Sequence, residues 1–118
     1  MNERPYQKLI VWQEAHKLCV WTYKITSRFP FEERFELRSQ MRKSSSSVPT
    51  NIAEGNIKRS AKDQKHFLEI AEASLEELHY QYLLSKDLGY ITQQEFDEAD
   101  DKIQRTGFLI RKLRSSLS

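Results

Sequence analysis

SAKDQKHFLEIAEASLEELHYQYLLSKDLG (60–89) decides the fold. Ser60 stands three residues before Asp63, a capping box with Asp in place of the usual Glu. Phe67, Leu68, Ala71, Ser74, Leu75, Leu78 and Tyr82 then recur every three or four residues and form one wide apolar face. Gly89 supplies the stop, because glycine alone enters the left-handed region without penalty. The segment therefore reads as a long amphipathic helix over about 60–88.

Downstream, Thr92 and Glu95 form a full capping box, and Phe96, Ala99, Ile103, Thr106, Ile110, Leu113 and Leu117 give a helix over about 92–115. Upstream, Val11, Trp12, Ala15, Leu18, Cys19, Thr22, Ile25 and Phe29 predict a helix over about 8–28, stopped by Pro30. A further helix is expected over about 32–57, with the acids near Phe31–Glu33 at its positive end. Its stripe is thin: Leu37, Met41, Ser44, Val48, Ile52 and Gly55. Pro49 inside it predicts a kink or a break near Ser45–Pro49. Loops of about two to five residues make neighbours antiparallel. The expected fold is all-α, an antiparallel up-down-up-down four-helix bundle forming a single domain, 1–118.

Composition agrees. With 118 residues, 38% hydrophobic and 31% charged, the chain has the size of one core. Three Gly and three Pro are too few for an all-β fold, which needs turn residues every 8–12 positions. One cysteine excludes an internal disulfide. No apolar run approaches the roughly 18 residues of a membrane span, and no signal peptide opens the chain; a cytoplasmic protein without membrane attachment is expected.

Charge is segregated along the chain. Residues 38–65 carry seven basic and two acidic side chains, residues 66–101 one and ten, and residues 102–118 five and none. Two segments are thus at +5 and one at −9 in a chain of net +2. Basic fields of this kind attract phosphate. Arg34, Arg38 and Arg42 follow one another at i, i+4, i+8, Lys58, Arg59, Lys62 and Lys65 cluster at the next turn, and Arg105, Phe108 and Lys112 share an outward face with Arg111 and Arg114 beside them. Arg38, Arg42, Lys43, Lys58, Arg59, Lys62, Arg105, Lys112 and Arg114 are the expected phosphate contacts to RNA or DNA. For any single stripe, a solvated surface with i, i+4 pairs is the simpler reading. At 100° per residue, Ile10, Val20, Trp21, Tyr80, Leu83 and Phe108 point away from the core stripes, which suggests a contact between copies.

Catalysis has little support. Glu76 and His79 form one Glu-x-x-His pair, but a di-iron bundle needs two, with further inward glutamates. The serines at 44–47 lack a partner histidine or a nucleophile elbow, and Cys19 sits on a core stripe. No Gly-rich phosphate loop occurs. No catalytic residue, metal or cofactor is expected. Asn51 and Glu54 flank the core stripe around Pro49 and are expected to join a buried polar network, and Gly55 to admit another helix closely.

Ser47-Val48-Pro49-Thr50-Asn51-Ile52-Ala53-Glu54-Gly55 is also where a resemblance begins. With Leu9-x-Val11-Trp12-x-x-Ala15, Phe29-Pro30, Gln40-Met41-Arg42-Lys43, Phe67-Leu68-x-Ile70-Ala71-x-x-Ser74-Leu75-x-Glu77-Leu78 and Leu88-Gly89-Tyr90, it resembles the four-helix-bundle family of the ribosomal RNA intervening-sequence proteins. The match spans nearly the whole chain and departs at Ser44-Ser45, where that family usually shows small apolar residues. The resemblance implies an antiparallel bundle, a ring-like homopentamer and no catalysis. A related protein, the accessory variability determinant of diversity-generating retroelements, is a basic pentameric bundle that binds nucleic acid and a reverse transcriptase. Two functions stay open: a homo-oligomeric RNA- or DNA-binding protein, or an oligomeric scaffold that binds a protein partner without nucleic acid.

Overall fold

The computed structural model describes residues 2–117. Helices α1 (Ile10–Thr26), α2 (Leu37–Asn56), α3 (Ala61–Asp87) and α4 (Gln93–Ser115) carry the chain, with short 3-10 turns at Pro5–Lys8 and Phe31–Glu33. Local chemistry sets their ends. The Ser60 hydroxyl accepts from the Asp63 amide at 3.1 Å. Thr92 and Glu95 close a reciprocal box, each side chain accepting from the other's amide. Gly89 has φ +81°, its amide bonds to the Lys86 carbonyl, and the Tyr90 amide bonds to the Ser85 carbonyl. That pattern is a Schellman motif, which satisfies the last carbonyls of α3.

Cross-links between helices give the topology. Thr26 meets Arg42 and Cys19 meets Ser45, so α1 and α2 run antiparallel. Gln81 meets Ser44 and Ser74 meets Ser47, so α2 and α3 do too. His79 with Asp100 and Glu72 with Arg114 set α3 against α4, and Arg28 with Glu95 and Glu14 with Arg105 set α4 against α1. Each helix therefore has two antiparallel neighbours around a common core. Ala15, Leu18, Met41, Val48, Ile52, Leu78, Tyr82, Ala99 and Ile110 are fully enclosed there.

The thin stripe of α2 has a structural counterpart. Ser44 and Ser45 are buried, and hydroxyl bonds stand where bulky side chains would otherwise interlock. Ser44 donates to Gln81 Oε1 at 2.6 Å, Ser47 and Ser74 share a 2.8 Å bond, and Ser85 Oγ lies 3.4 Å from Met41 Sδ. Across the bundle, Thr22 and Tyr82 meet at 2.5 Å. The Thr22 proton is committed to the Leu18 carbonyl, so Tyr82 is the donor. Burial pushes the Tyr82 phenol pKa up.

Three expectations need correction. First, α2 begins at Leu37 and not near residue 32. Glu33 is drawn into tertiary bonds instead: it accepts from the Tyr90 hydroxyl at 2.7 Å and from the Leu37 amide at 3.3 Å, leaving Glu36 outside helical geometry. Second, the connection between α1 and α2 is ten residues (27–36), longer than the expected two to five. Third, the break expected as one outcome near Ser45–Pro49 does not occur: α2 is α-helical throughout that stretch. Val48, Pro49 and Ile52 are all buried, and their packing outweighs the one missing hydrogen bond.

Candidate nucleic-acid interface

A groove runs along the junction of α1 and α2, lined by Tyr23, Arg34, Arg38, Ser39, Arg42, Lys43 and Ser46. It holds four cations and no carboxylate. Arg38 and Arg42 are one helical turn apart, and Arg34 continues the row from the preceding turn, so spacing along α2 aligns them. Among the described residues, no carboxylate oxygen lies within 4.0 Å of Arg34, Arg38, Arg42 or Lys43. Beside the groove, Phe31 and Phe35 project into solvent at 69% and 77% exposure. The Arg34 guanidinium lies over both rings, 3.6 Å from one centroid and 4.6 Å from the other, and donates to the Phe31 carbonyl.

The cations expected to meet phosphate fall into three situations. Arg38 and Lys43 are free in the groove. Arg42 is half-buried and works as a strut: Nη2 donates to the Tyr23 carbonyl at 3.0 Å, Nε to Thr26 Oγ1 at 3.1 Å, and the group lies over the Tyr23 ring. Its charge still faces the groove, but two of its five donors are spent on α1. Arg105 and Arg114 depart further from expectation. Arg105 pairs with Glu14 and Arg114 with Glu72, which Arg111 also approaches. These bridges join α4 to α1 and α3, and they neutralise two of the nine candidates. Bonding to Arg105 in turn holds the Glu14 carboxyl below its ordinary range.

Lys58, Arg59 and Lys62 lie at the α2–α3 turn, about 20 residues of helix from Arg38 and so roughly 30 Å away. Lys58 sits over the Phe67 ring at 5.1 Å. The end of α4 arrives at the same end of the bundle, where Asn56, Gln64, Leu113 and Leu117 line one small cavity, and brings the exposed Lys112. No carboxylate pairs with Lys58, Arg59, Lys62 or Lys112 among the described residues. Seven of the nine positions thus fall into two separate basic regions, Arg105 and Arg114 are paired outside them, and no continuous stripe forms.

Around Pro49, Asn51 donates to the Ser47 carbonyl at 2.8 Å and to its hydroxyl at 3.0 Å, within the seam between α2 and α3. The Glu54 side chain is exposed and hydrogen-bonds to nothing among the described residues, contrary to expectation, because its position two residues beyond Ile52 turns it outward. Gly55 lies against α3, where an added Cβ would fall 2.9 Å from Phe67 Cβ. Of the outward apolar residues, Ile10, Val20, Tyr80 and Phe108 are exposed. Leu83 is half-buried. Trp21 is corrected: its ring packs on Tyr82, 5.6 Å between centroids, with the Lys102 ammonium over it. Indole is large enough to reach the core from a flanking helical position.

The reading from sequence missed Phe31, Phe35 and Tyr23. A helix was expected to begin at Phe31–Glu33, which left the phenylalanines unremarked. Two aromatics spaced four apart around an arginine, Phe31-x-x-Arg34-Phe35, were the available signal.

On the opposite side, between α3 and α4, a second groove is lined by Glu72, Glu76, His79, Asp100, Gln104, Phe108 and Arg111, over the small Gly107. His79 bonds Asp100 at 3.1 Å. No group of three or more His, Cys, Asp or Glu side chains is arranged to hold a metal among the described residues. Cys19 is half-buried beside the Ser45 hydroxyl, and burial pushes its thiol pKa up, the opposite of an activated nucleophile. No helix is long and apolar enough to cross a membrane among the described residues.

Such a molecule is an all-α bundle that carries a carboxylate-free cationic groove with aromatic neighbours. The chain belongs to the 23S rRNA-intervening sequence protein family, whose profile matches residues 7–112. It is also similar to the crystal structure, at 1.70 Å resolution, of a protein of unknown function from the S23 ribosomal protein family of Bacteroides thetaiotaomicron. The TM-score is 0.80 at 21% identity, covering 89% of this chain and 98% of that one, a likeness of fold. No curated protein matches the chain significantly.

Proposed function

We propose that this protein is a non-enzymatic, homo-oligomeric bundle, pentameric by resemblance, that binds RNA or DNA without sequence preference. The observation that carries it is the α1–α2 groove, where Arg34, Arg38, Arg42 and Lys43 converge with no carboxylate among the lining side chains. Uncompensated cations aligned along and just ahead of α2 suit a phosphate backbone, which carries no sequence information. Exposed Ile10, Tyr80 and Phe108, on three different helices, supply apolar surface for contact between copies. The decisive experiment combines solution mass by light scattering with titration of labelled RNA at about 50 mM and about 500 mM salt. A multimer whose affinity falls steeply with salt, and falls further in Arg38→Glu/Lys43→Glu, supports the reading. A single subunit that ignores RNA and DNA at low salt overturns it.

A scaffold for a protein partner is the second reading. The α3–α4 groove favours it, since Phe108 stands exposed beside Glu72, Glu76 and Asp100. Partner capture lost in Phe108→Asp, with nucleic acid ignored throughout, would select it.

A further inference from the structure

We infer that the Phe31–Arg34–Phe35 turn, together with the α1–α2 groove, is a site for unpaired nucleotides: bases stack on the two phenylalanine rings while Arg34, Arg38 and Lys43 hold the phosphates. This rests on the nucleic-acid reading above and narrows it from any polyanion to single strands.

The turn is built to hold its rings outward. Glu33 ties it to the α3–α4 connection through the Tyr90 hydroxyl. The Glu33 amide bonds the Pro30 carbonyl and the Arg34 amide bonds the Phe31 carbonyl. Arg34 then spans both rings. Phe31 and Phe35 are among the most exposed large apolar residues described, yet their backbone is fixed, so a stacking partner meets a platform already in place. Phenylalanine offers no hydrogen bond, and its π-face accepts any base, so the site tolerates sequence. A guanidinium plane beside the rings adds a further stacking surface.

Duplexes suit this site poorly. Their bases are stacked on one another and present no free face away from the ends. Glu32 and Glu36 flank the phenylalanines, exposed and without a cationic partner among the described residues. A double helix carries phosphate charge about twice as densely as one strand, so these carboxylates oppose it more. Glu33, the third acid of the turn, is engaged by Tyr90 and the Leu37 amide.

Fluorescence anisotropy with a short labelled oligo-uridine and a blunt duplex of equal length tests the inference. Phe31→Ala/Phe35→Ala should weaken oligo-uridine binding by about tenfold or more per ring. Duplex affinity and the salt slope should stay unchanged, and Phe31→Trp/Phe35→Trp should restore binding. Lys43→Glu should weaken both ligands and reduce the slope. If the wild type binds both ligands equally and the alanine pair changes neither, the inference fails while nucleic-acid binding stands. If the wild type binds neither ligand at low salt, the broader reading fails with it. If the alanine pair lowers the solution mass and leaves oligo-uridine binding intact, the rings belong to a contact between copies and the inference is overturned.

Discussion

Gly55 and Gly89 both resist a methyl group, for different reasons. At Gly55 the backbone is helical, and alanine would raise helix propensity by about 1 kcal/mol. The new Cβ would press on Phe67 Cβ, an atom fixed to the α3 backbone, so Gly55→Ala should still lose about 1–2 kcal/mol in urea unfolding. At Gly89 there is open space, and only φ +81° matters; Gly89→Ala should lose about 1–2 kcal/mol by the strain of the left-handed region. Ile52, 1% exposed, has no room for a charge, and Ile52→Asp should abolish the cooperative transition in circular dichroism. Tyr82 makes stability depend on alkaline pH. Its folded pKa is raised by burial above the ordinary 10.0. The folded state therefore keeps its proton longer than the unfolded one. This contribution is whole below about pH 10 and declines above it by up to about 1.4 kcal/mol per pH unit. Tyr82→Phe should flatten that limb while losing about 1 kcal/mol at neutral pH, the worth of the Thr22 bond. An identical alkaline decline in both proteins would refute the assignment.

At the scale of elements, periodicity revealed what depends on burial and missed what depends on tertiary hydrogen bonds. The stripes of α3 and α4, with Ser60 and Thr92 as caps, lie in the helices they predicted, save Leu117 just past the end of α4. The start of α2 was illegible because Glu33 belongs to Tyr90, fifty-seven residues away, and no local pattern records that. Pro49 misled for the related reason that burial on both sides outweighs its local cost. For the candidate site, position was legible and availability was not. Arg38 and Lys43 lie in the groove, whereas Arg105 and Arg114 spend their charge on carboxylates of α1 and α3. Arg42 shows the difference by experiment. Sequence alone suggests that Arg42→Glu leaves folding intact; the bonds to Tyr23 and Thr26 predict a loss of about 1–3 kcal/mol. Lys43→Glu, exposed and unpaired among the described residues, should unfold with the wild type within about 0.5 kcal/mol. Comparing the two in denaturant separates strut from free charge.

At the scale of the molecule, the cyclic order of helices sets the α1–α2 groove opposite the α3–α4 groove. The first is lined by four cations, the second by Glu72, Glu76 and Asp100 with His79 and Arg111. The proposed association of copies through Tyr80 and Phe108, both exposed, belongs to this scale. Phe108→Asp should lower the solution mass without lowering the melting temperature by more than a few degrees, because the side chain contributes little to the monomer core. An unchanged mass would remove Phe108 from the contact.

The opposed grooves carry a consequence for what a coated strand would look like from outside. A polyphosphate held in the α1–α2 cleft would leave the carboxylate flank on the far side of each subunit, where Phe108 sets it beside a neighbouring copy in the proposed assembly. Those acids would then be spent between copies and not against the strand, and because each subunit carries net +2, every one added would lower the charge of the filament seen from outside.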